Sequence, residues 1–360
     1  VKDPSLGLLL ACSFNMLLTG GKKMASSKEI WLLVDSQRNG GIESHILQLA
    51  SGLHQHHFPV SVVFLADYGS HPLKDALVDL GIRVRTLSHP VWRLWPMVKR
   101  EKPRLLHSHG YKAGIVSRVI GFLCGIPVVS TYHAGEITKG KLAVYDFIDR
   151  YSAMLAAQCL TVSLPISQRL PVASLMLNNF VQTDNVAIGR GQQLAFVGRL
   201  SEEKGPQFML EIAKQLPEYC FHIYGDGPLD RQLRQQAPVN VKFHGAQSDM
   251  SNIWPEIGLL IMPSLFEGMP MAALESMSRG IPVVATQVGA LSELIKHEGN
   301  GWLLPVADVD AFVDKIRQWL SMPPEQQMSL RFQARYQVAT KFSADTVIPQ
   351  LIAIYQKVSC

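Results

Sequence analysis

An α/β fold of two Rossmann-like domains, each on a parallel sheet and facing the other across a central cleft, is what the sequence predicts on three observations. Short apolar runs of strand length alternate with amphipathic stretches of helix length along most of the chain, the pattern of strand–helix–strand crossovers. A polar interval at 182–192, containing Gly189 and Gly191, interrupts the alternation, and a second strand–helix series follows it. With 360 residues, 47% of them hydrophobic, the chain can fill two cores of ordinary size.

Taken in order, residues 30–35 read as a strand, Gly40-Gly41 as a turn, and 42–54 as a helix with Ile42, Ile46, Leu49 and Leu53 on one face. Residues 60–66, 105–108, 127–131 and 159–162 complete the strands expected in the first half. In the second half the expected strands are 193–197, 221–224, 241–244, 259–262 and 283–286. The expected division is a leader or misassigned start at 1–23, an N-terminal Rossmann-like domain at 24–185, and a C-terminal Rossmann-like domain at 186–345. A terminal helix at 346–360 is amphipathic. The apolar run 6–18 is too short to span a bilayer.

Composition excludes several classes. Five cysteines without CxxC spacing argue against a disulfide framework or a zinc site, and suit a cytoplasmic compartment. Net charge is +5, with about five excess positive charges in 24–185 and about two excess negative charges in 186–360. Arg93, Lys99, Arg100, Lys102 and Arg104 are interleaved with or follow Trp92, Trp95 and Pro96, a combination suited to an anionic membrane surface or an anionic glycolipid acceptor. No nucleic-acid module accompanies the charge, and the first strand–turn lacks the GxGxxG of a dehydrogenase.

The segment 263–286, PSLFEGMPMAALESMSRGIPVVAT, carries the chemistry. An apolar strand precedes it, Gly268 to Pro270 supply a turn, and a helix follows from Met271, so Glu267 and Glu275 flank a strand-to-helix junction where open α/β sheets bind ligands. The N–H groups of Gly268, Met269 and the first helical turn favour an anion. Carboxylates repel a phosphate but accept hydrogen bonds from hydroxyls. A ligand with both kinds of group is a nucleotide sugar.

This spacing resembles the EX7E signature of retaining GT-B glycosyltransferases, the "glycosyl transferases group 1" family. Other segments in the same order add to the likeness: FVGRLSEEKG at 196–205, IYGDGP at 223–228, LNNFV at 177–181, Gly40 to Glu43, and Thr131-Tyr132-His133. The resemblance implies that Arg199 and Lys204 stabilise the leaving diphosphate, that Glu275 binds the ribose hydroxyls, and that Glu267 and His133 approach the transferred sugar. Gly41, Gly225 and Gly227, with Gly268, Met269 and Pro270, would let the donor near the backbone. The linker reads Asn178-Asn179-Phe180-Val181 where Pro-Asn-Gly-Val is usual in the family, which bears on its conformation and little on the chemistry. The resemblance also implies that the domain at 24–185 binds the acceptor, that the domain at 186–345 binds the nucleotide sugar, and that the terminal helix at 346–360 returns to the first domain.

The resulting expectation is a retaining, metal-independent hexosyltransferase with no cofactor. It would move a sugar from a nucleoside diphosphate donor, UDP preferred, to a glycan or glycolipid hydroxyl in lipopolysaccharide or other envelope polysaccharide synthesis. Its place would be the cytoplasm, peripherally on the inner membrane face. A nucleotide-sugar epimerase or hydrolase, or a non-catalytic nucleotide-sugar-binding protein, stays as the alternative. Asp308-Val309-Asp310 reads as a helix cap rather than a metal motif. Neither the histidines at 54–57 nor His107 with His109 make a closed ligand set by spacing. Acceptor choice is assigned to 88–101 and 136–141.

Overall fold

The computed structural model describes residues 29–37, 40–88, 90–133, 141–184 and 186–359, with the side chains of 141 and 142 excluded. The expected leader and most of the 136–141 loop therefore lie outside the described residues.

Two parallel sheets organise the chain. The first contains β1 (Ile30–Val34), β2 (Val60–Phe64), β3 (Arg83–Thr86), β4 (Leu105–His109), β5 (Val128–Tyr132), β6 (Gln158–Thr161) and β7 (Ser174–Met176), in the order β3-β2-β1-β4-β5-β6-β7. The second contains β8 (Gln193–Val197), β9 (Phe221–Tyr224), β10 (Val241–Gly245), β11 (Ile257–Met262), β12 (Val283–Thr286) and β13 (Gly301–Leu304), in the order β10-β9-β8-β11-β12-β13. Strand order reverses beside β1 and β4 in one sheet and beside β8 and β11 in the other, which opens a crevice at the carboxyl ends of each pair. Among the described residues, β3, β7 and β13 had no counterpart in the sequence reading. All three are edge strands of three or four residues, and β3 is half-exposed, so none presents the long buried run that marks β1 or β11.

Helices cover both faces of the first sheet. On one face lie α1 (Gly41–Gln55) and α2 (Pro72–Asp79), joined by α13 (Ala344–Val358) from the far end of the chain. On the other lie α3 (Leu94–Glu101), α4 (Tyr111–Cys124) and α5 (Lys141–Ser152). A Cβ at Gly52 of α1 would meet Ile348 Cδ1 of α13 at 2.7 Å, so the glycine is what lets these helices touch. Tyr355 of α13 reaches through to β4, where its hydroxyl lies 2.5 Å from His107 Nδ1.

The chain passes between the sheets twice, and the passages are bonded together. Val181 N donates to Phe342 O and Ala344 N donates to Val181 O, each at 3.0 Å. Helix α6 (Leu164–Arg169) joins β6 to β7 in the first sheet, and the second sheet carries α7 (Pro206–Gln215), α8 (Asp230–Gln236), α9 (Met271–Ser278), α10 (Leu291–Leu294), α11 (Val309–Ser321) and α12 (Pro324–Lys341) around it. Among the described residues no helix is long and apolar enough to cross a membrane.

Asp308 caps α11, its Oδ1 accepting from Ala311 N at 3.0 Å. Asp308→Ala is expected to cost about 1 kcal/mol in urea unfolding while leaving donor binding unchanged; loss of a metal-dependent activity would contradict the capping role.

Candidate functional site

The functional side chains gather where the carboxyl ends of β1, β4 and β5 meet those of β8 and β11. The loop after β11 is fixed from several sides. Asn179 of the linker donates to Met269 O at 2.7 Å, and Ala290 N donates to Gly268 O at 2.8 Å. Pro270 then precedes α9 as its N-cap with extended backbone, one position before the first helical residue. Asn179, in the linker, thereby stands at the site through its contact with Met269.

Glu267 is almost fully buried and both its oxygens are engaged. Oε2 accepts from Lys204 Nζ at 2.7 Å, and Oε1 from Ser264 Oγ at 2.8 Å. The lysine meant for a diphosphate and the acid meant for a sugar thus hold each other. Lys204 ends a short helical turn and is followed by Gly205, whose φ of +63° and whose 2.1 Å approach of a Cβ to Pro263 O admit only glycine. Arg199 is exposed just past β8, and its side chain has no partner among the described residues. Gly225 and Gly227 pack their backbones against the same loop: a Cβ on either would strike Gly198 O at 1.9 Å or Leu200 O at 2.4 Å. Their place beside Arg199 is fixed by backbone contact.

Glu275, half-buried on α9, accepts from Ser44 Oγ of α1 at 3.0 Å, so one hydrogen bond spans the two halves. Burial raises its pKa, while Ser44 and the nearby Arg279 oppose that rise. Gly41 begins α1 with nothing within 4 Å of a Cβ, which leaves the helix start open. Gly268 is the reverse case. A Cβ there would meet His133 O, from the other half, at 2.4 Å.

Histidines form the other wall. His45 of α1, His109 at the end of β4 and His133 after β5 each offer a ring nitrogen, and these lie within 4.8 Å of one another. His109 Nδ1 and His133 Nε2 are 3.0 Å apart, and His107 Nε2 is 2.7 Å from Thr131 Oγ1. His45 was not foreseen, and His107 with His109 had been set aside; the cluster draws on three elements distant in sequence. Burial holds these rings neutral, driving His45 and His109 well below the usual range, His107 to about 3 and His133 to about 4.

That has a pH consequence. Each folded pKa lies below the unfolded value of 6.5, so the unfolded chain binds protons more readily and stability falls as pH drops from 6.5 toward 4. The thermal midpoint is expected to decline steadily from about pH 7 to about pH 5, since a tenfold difference in proton affinity between folded and unfolded chains is worth about 1.4 kcal/mol. His45→Phe, which removes a ring with an unpartnered Nδ1, should flatten part of the slope; a flat wild-type profile would contradict the buried neutral cluster.

A cavity opens beside His133, lined also by Ile42, Gly110, Tyr111 and Tyr132, with the buried Arg118–Asp149 pair at its floor. The basic residues predicted for acceptor or membrane contact are not part of it. Lys99, Arg100, Lys102 and Arg104 lie where α3 ends and the chain enters β4, at the end of the sheet opposite the site, while Arg93 precedes α3.

Two family profiles match the chain: "Glycosyl transferase 4-like domain" over residues 40–171 and "Glycosyl transferases group 1" over 191–322. The chain is a group 1 glycosyltransferase of the GT-B fold. It is 28% identical over 262 residues to an Escherichia coli UDP-Gal:alpha-D-GlcNAc-diphosphoundecaprenol alpha-1,3-galactosyltransferase, covering 62% of this chain and 68% of the relative. It is 26% identical over 242 residues to the E. coli O-antigen biosynthesis glycosyltransferase WbnH, covering 63% and 71%. The crystal structure of Anabaena Alr3699/HepE in complex with UDP-glucose superposes with a TM-score of 0.81 at 19% identity, covering 92% of this chain and all of that one. As a group 1 glycosyltransferase the protein is a transferase enzyme.

Proposed function

We propose that this glycosyltransferase moves a hexose-type sugar from a UDP-sugar to a hydroxyl of a lipid-linked glycan in envelope polysaccharide synthesis, with retention at the anomeric carbon. The observation that carries the reading is the cross-cleft arrangement in which Glu275 bonds Ser44 while Glu267 pairs with Lys204. When donor arrives, Lys204 shifts from Glu267 to the diphosphate as a point charge, joined by Arg199 as a planar fork. The ribose diol replaces Ser44 Oγ on Glu275, a bidentate match of carboxylate to vicinal hydroxyls. The α9 amino end and the Gly268–Pro270 turn add N–H groups facing developing negative charge. No metal is required in this scheme, because these groups supply the positive charge.

The acceptor enters beside His133, through the cavity floored by Arg118 and Asp149. The anomeric C–O bond to the β-phosphate breaks, the acceptor oxygen attacks from the same face, and its proton passes to the departing phosphate oxygen. Glu267 forms no covalent bond to the sugar in this scheme: the acceptor oxygen attacks directly, and Ser264 still holds Oε1 of Glu267 after Lys204 has moved. His133, neutral near pH 7, orients the sugar rather than accepting its proton. The named activities of the E. coli relatives support the lipid-linked acceptor and the envelope role. With such an acceptor the reaction runs at the inner membrane face.

The test is transfer from an α-linked UDP-sugar to a diphosphate-lipid acceptor, with the product's anomeric configuration read by NMR. An α product without a trapped adduct is the expected result. A β product, or a glycosyl ester on Glu267, overturns the scheme.

A further inference from the structure

Helix α5 is inside out for a helix on a protein surface. Its acids, Asp146 and Asp149, are buried and paired with Arg150, Arg169 and Arg118. Val144, Phe147, Ile148 and Tyr151 point outward at helical spacing and are 43% to 59% exposed. Surface helices of soluble proteins reverse that arrangement. The neighbouring α4 ends in Phe122 and Leu123, exposed at 69% and 62%, so the apolar surface extends over two packed helices. On the far side of α4, α3 and the turns that flank it add exposed Trp92 and Trp95, the amphipathic rings favoured at a membrane interface, and the cations Lys99 and Lys102.

We infer that the outer layer of α3, α4 and α5 is a docking surface for an anionic lipid bilayer, with the α5 stripe entering the headgroup region and the α3 cations over anionic headgroups. Charge decides between a bilayer and a second copy of the chain. The apolar stripe carries no outward acid, and its flank is basic, which repels the same surface of another copy but suits an anionic leaflet. Position supports it too. The cavity beside His133 is lined by Tyr111, where α4 begins, and by Asp149 of α5, so the layer that meets the bilayer also walls the cavity. The inference rests on the lipid-linked acceptor proposed above and names the surface through which such an acceptor is met.

The experiment is flotation of the full chain with vesicles of phosphatidylcholine, and with vesicles of equal parts phosphatidylcholine and phosphatidylglycerol. Two exposed-site variants, F147S/I148S and K99E/K102E, run alongside, with UDP-sugar calorimetry and a thermal midpoint for each. The wild type is expected to float with the anionic vesicles, and each variant to lose at least about tenfold in partitioning with donor binding and midpoint unchanged. Undiminished flotation of F147S/I148S overturns the inference. So does a wild-type dimer in sedimentation that F147S/I148S converts to monomer, which would make α5 a contact between copies. Flotation as expected without transfer to a lipid acceptor leaves the docking surface standing and removes the acceptor reading; transfer to a lipid acceptor without flotation does the opposite.

Discussion

Gly268→Ala is expected to lower kcat/KM by about a hundredfold or more while leaving the fold intact. The added Cβ would stand 2.4 Å from His133 O and 3.0 Å from Val162 Cγ2, both in the other half of the molecule. A backbone carbonyl cannot swing away as a side chain would, so the two halves must part. A displacement of about 1 Å between groups that hold one reacting centre costs on the order of a hundredfold. Ala is compatible with the backbone at this position, since Gly268 is not among the glycines with positive φ. Without backbone strain the stability loss is limited to the overpacking, about 1 to 3 kcal/mol in a urea titration, and the larger loss should sit in kcat/KM. Full activity in the variant would show that His133 and Gly268 need not meet during turnover.

Lys204→Met is the second large effect, and it is expected in stability as well as in rate. Glu267 is 3% exposed and Lys204 28%, so removing the cation leaves a carboxylate buried with only the Ser264 hydroxyl as partner. Breaking a buried pair costs about 3 to 5 kcal/mol, and the low end is expected here because Lys204 is partly exposed; that exceeds what the intact pair contributes, since the remaining charge stays desolvated. Lys204→Met/Glu267→Gln should recover most of that stability, since a neutral amide tolerates the site. Neither variant should recover transfer, because the diphosphate has lost a charge-assisted contact worth about 1.5 to 3 kcal/mol. A double variant as unstable as the single one would contradict the burial argument; one that transfers at the wild-type rate would remove Lys204 from the chemistry.

What the sequence made legible follows from what leaves a local trace. Strands β1, β2, β4, β5 and β11 are buried along their whole length; β1 and β11 appear as uninterrupted apolar runs, while β2, β4 and β5 keep enough apolar residues to be read although Ser61, His107 to His109, and Ser130 with Thr131 break theirs. The edges β3, β7 and β13 lack that run. Glu267 and Glu275 are eight positions apart and share one junction, hence their joint appearance in the reading. The ion pair of Lys204 with Glu267 joins residues 63 positions apart, and the Ser44–Glu275 bond spans 231. Such contacts depend on how the two sheets meet and leave no periodicity behind. The histidine wall is the clearest instance: His45, His109 and His133 come from α1, β4 and the segment after β5, and none is near another along the chain. In the basic segment the residue types suggested a charged surface. The topology moved Lys99, Arg100, Lys102 and Arg104 to the end of the sheet away from the site.

The central claim is that Lys204, Glu267 and Glu275 form one nucleotide-sugar site, and calorimetry with a panel of UDP, GDP and ADP sugars tests it most directly, with Glu275→Ala and Arg199→Ala beside the unmodified protein. The account predicts that a UDP-sugar binds best and that each variant weakens it by at least about tenfold, the loss of a charged hydrogen bond. Equal binding by Glu275→Ala, or no binding of any donor by the unmodified protein, would contradict it.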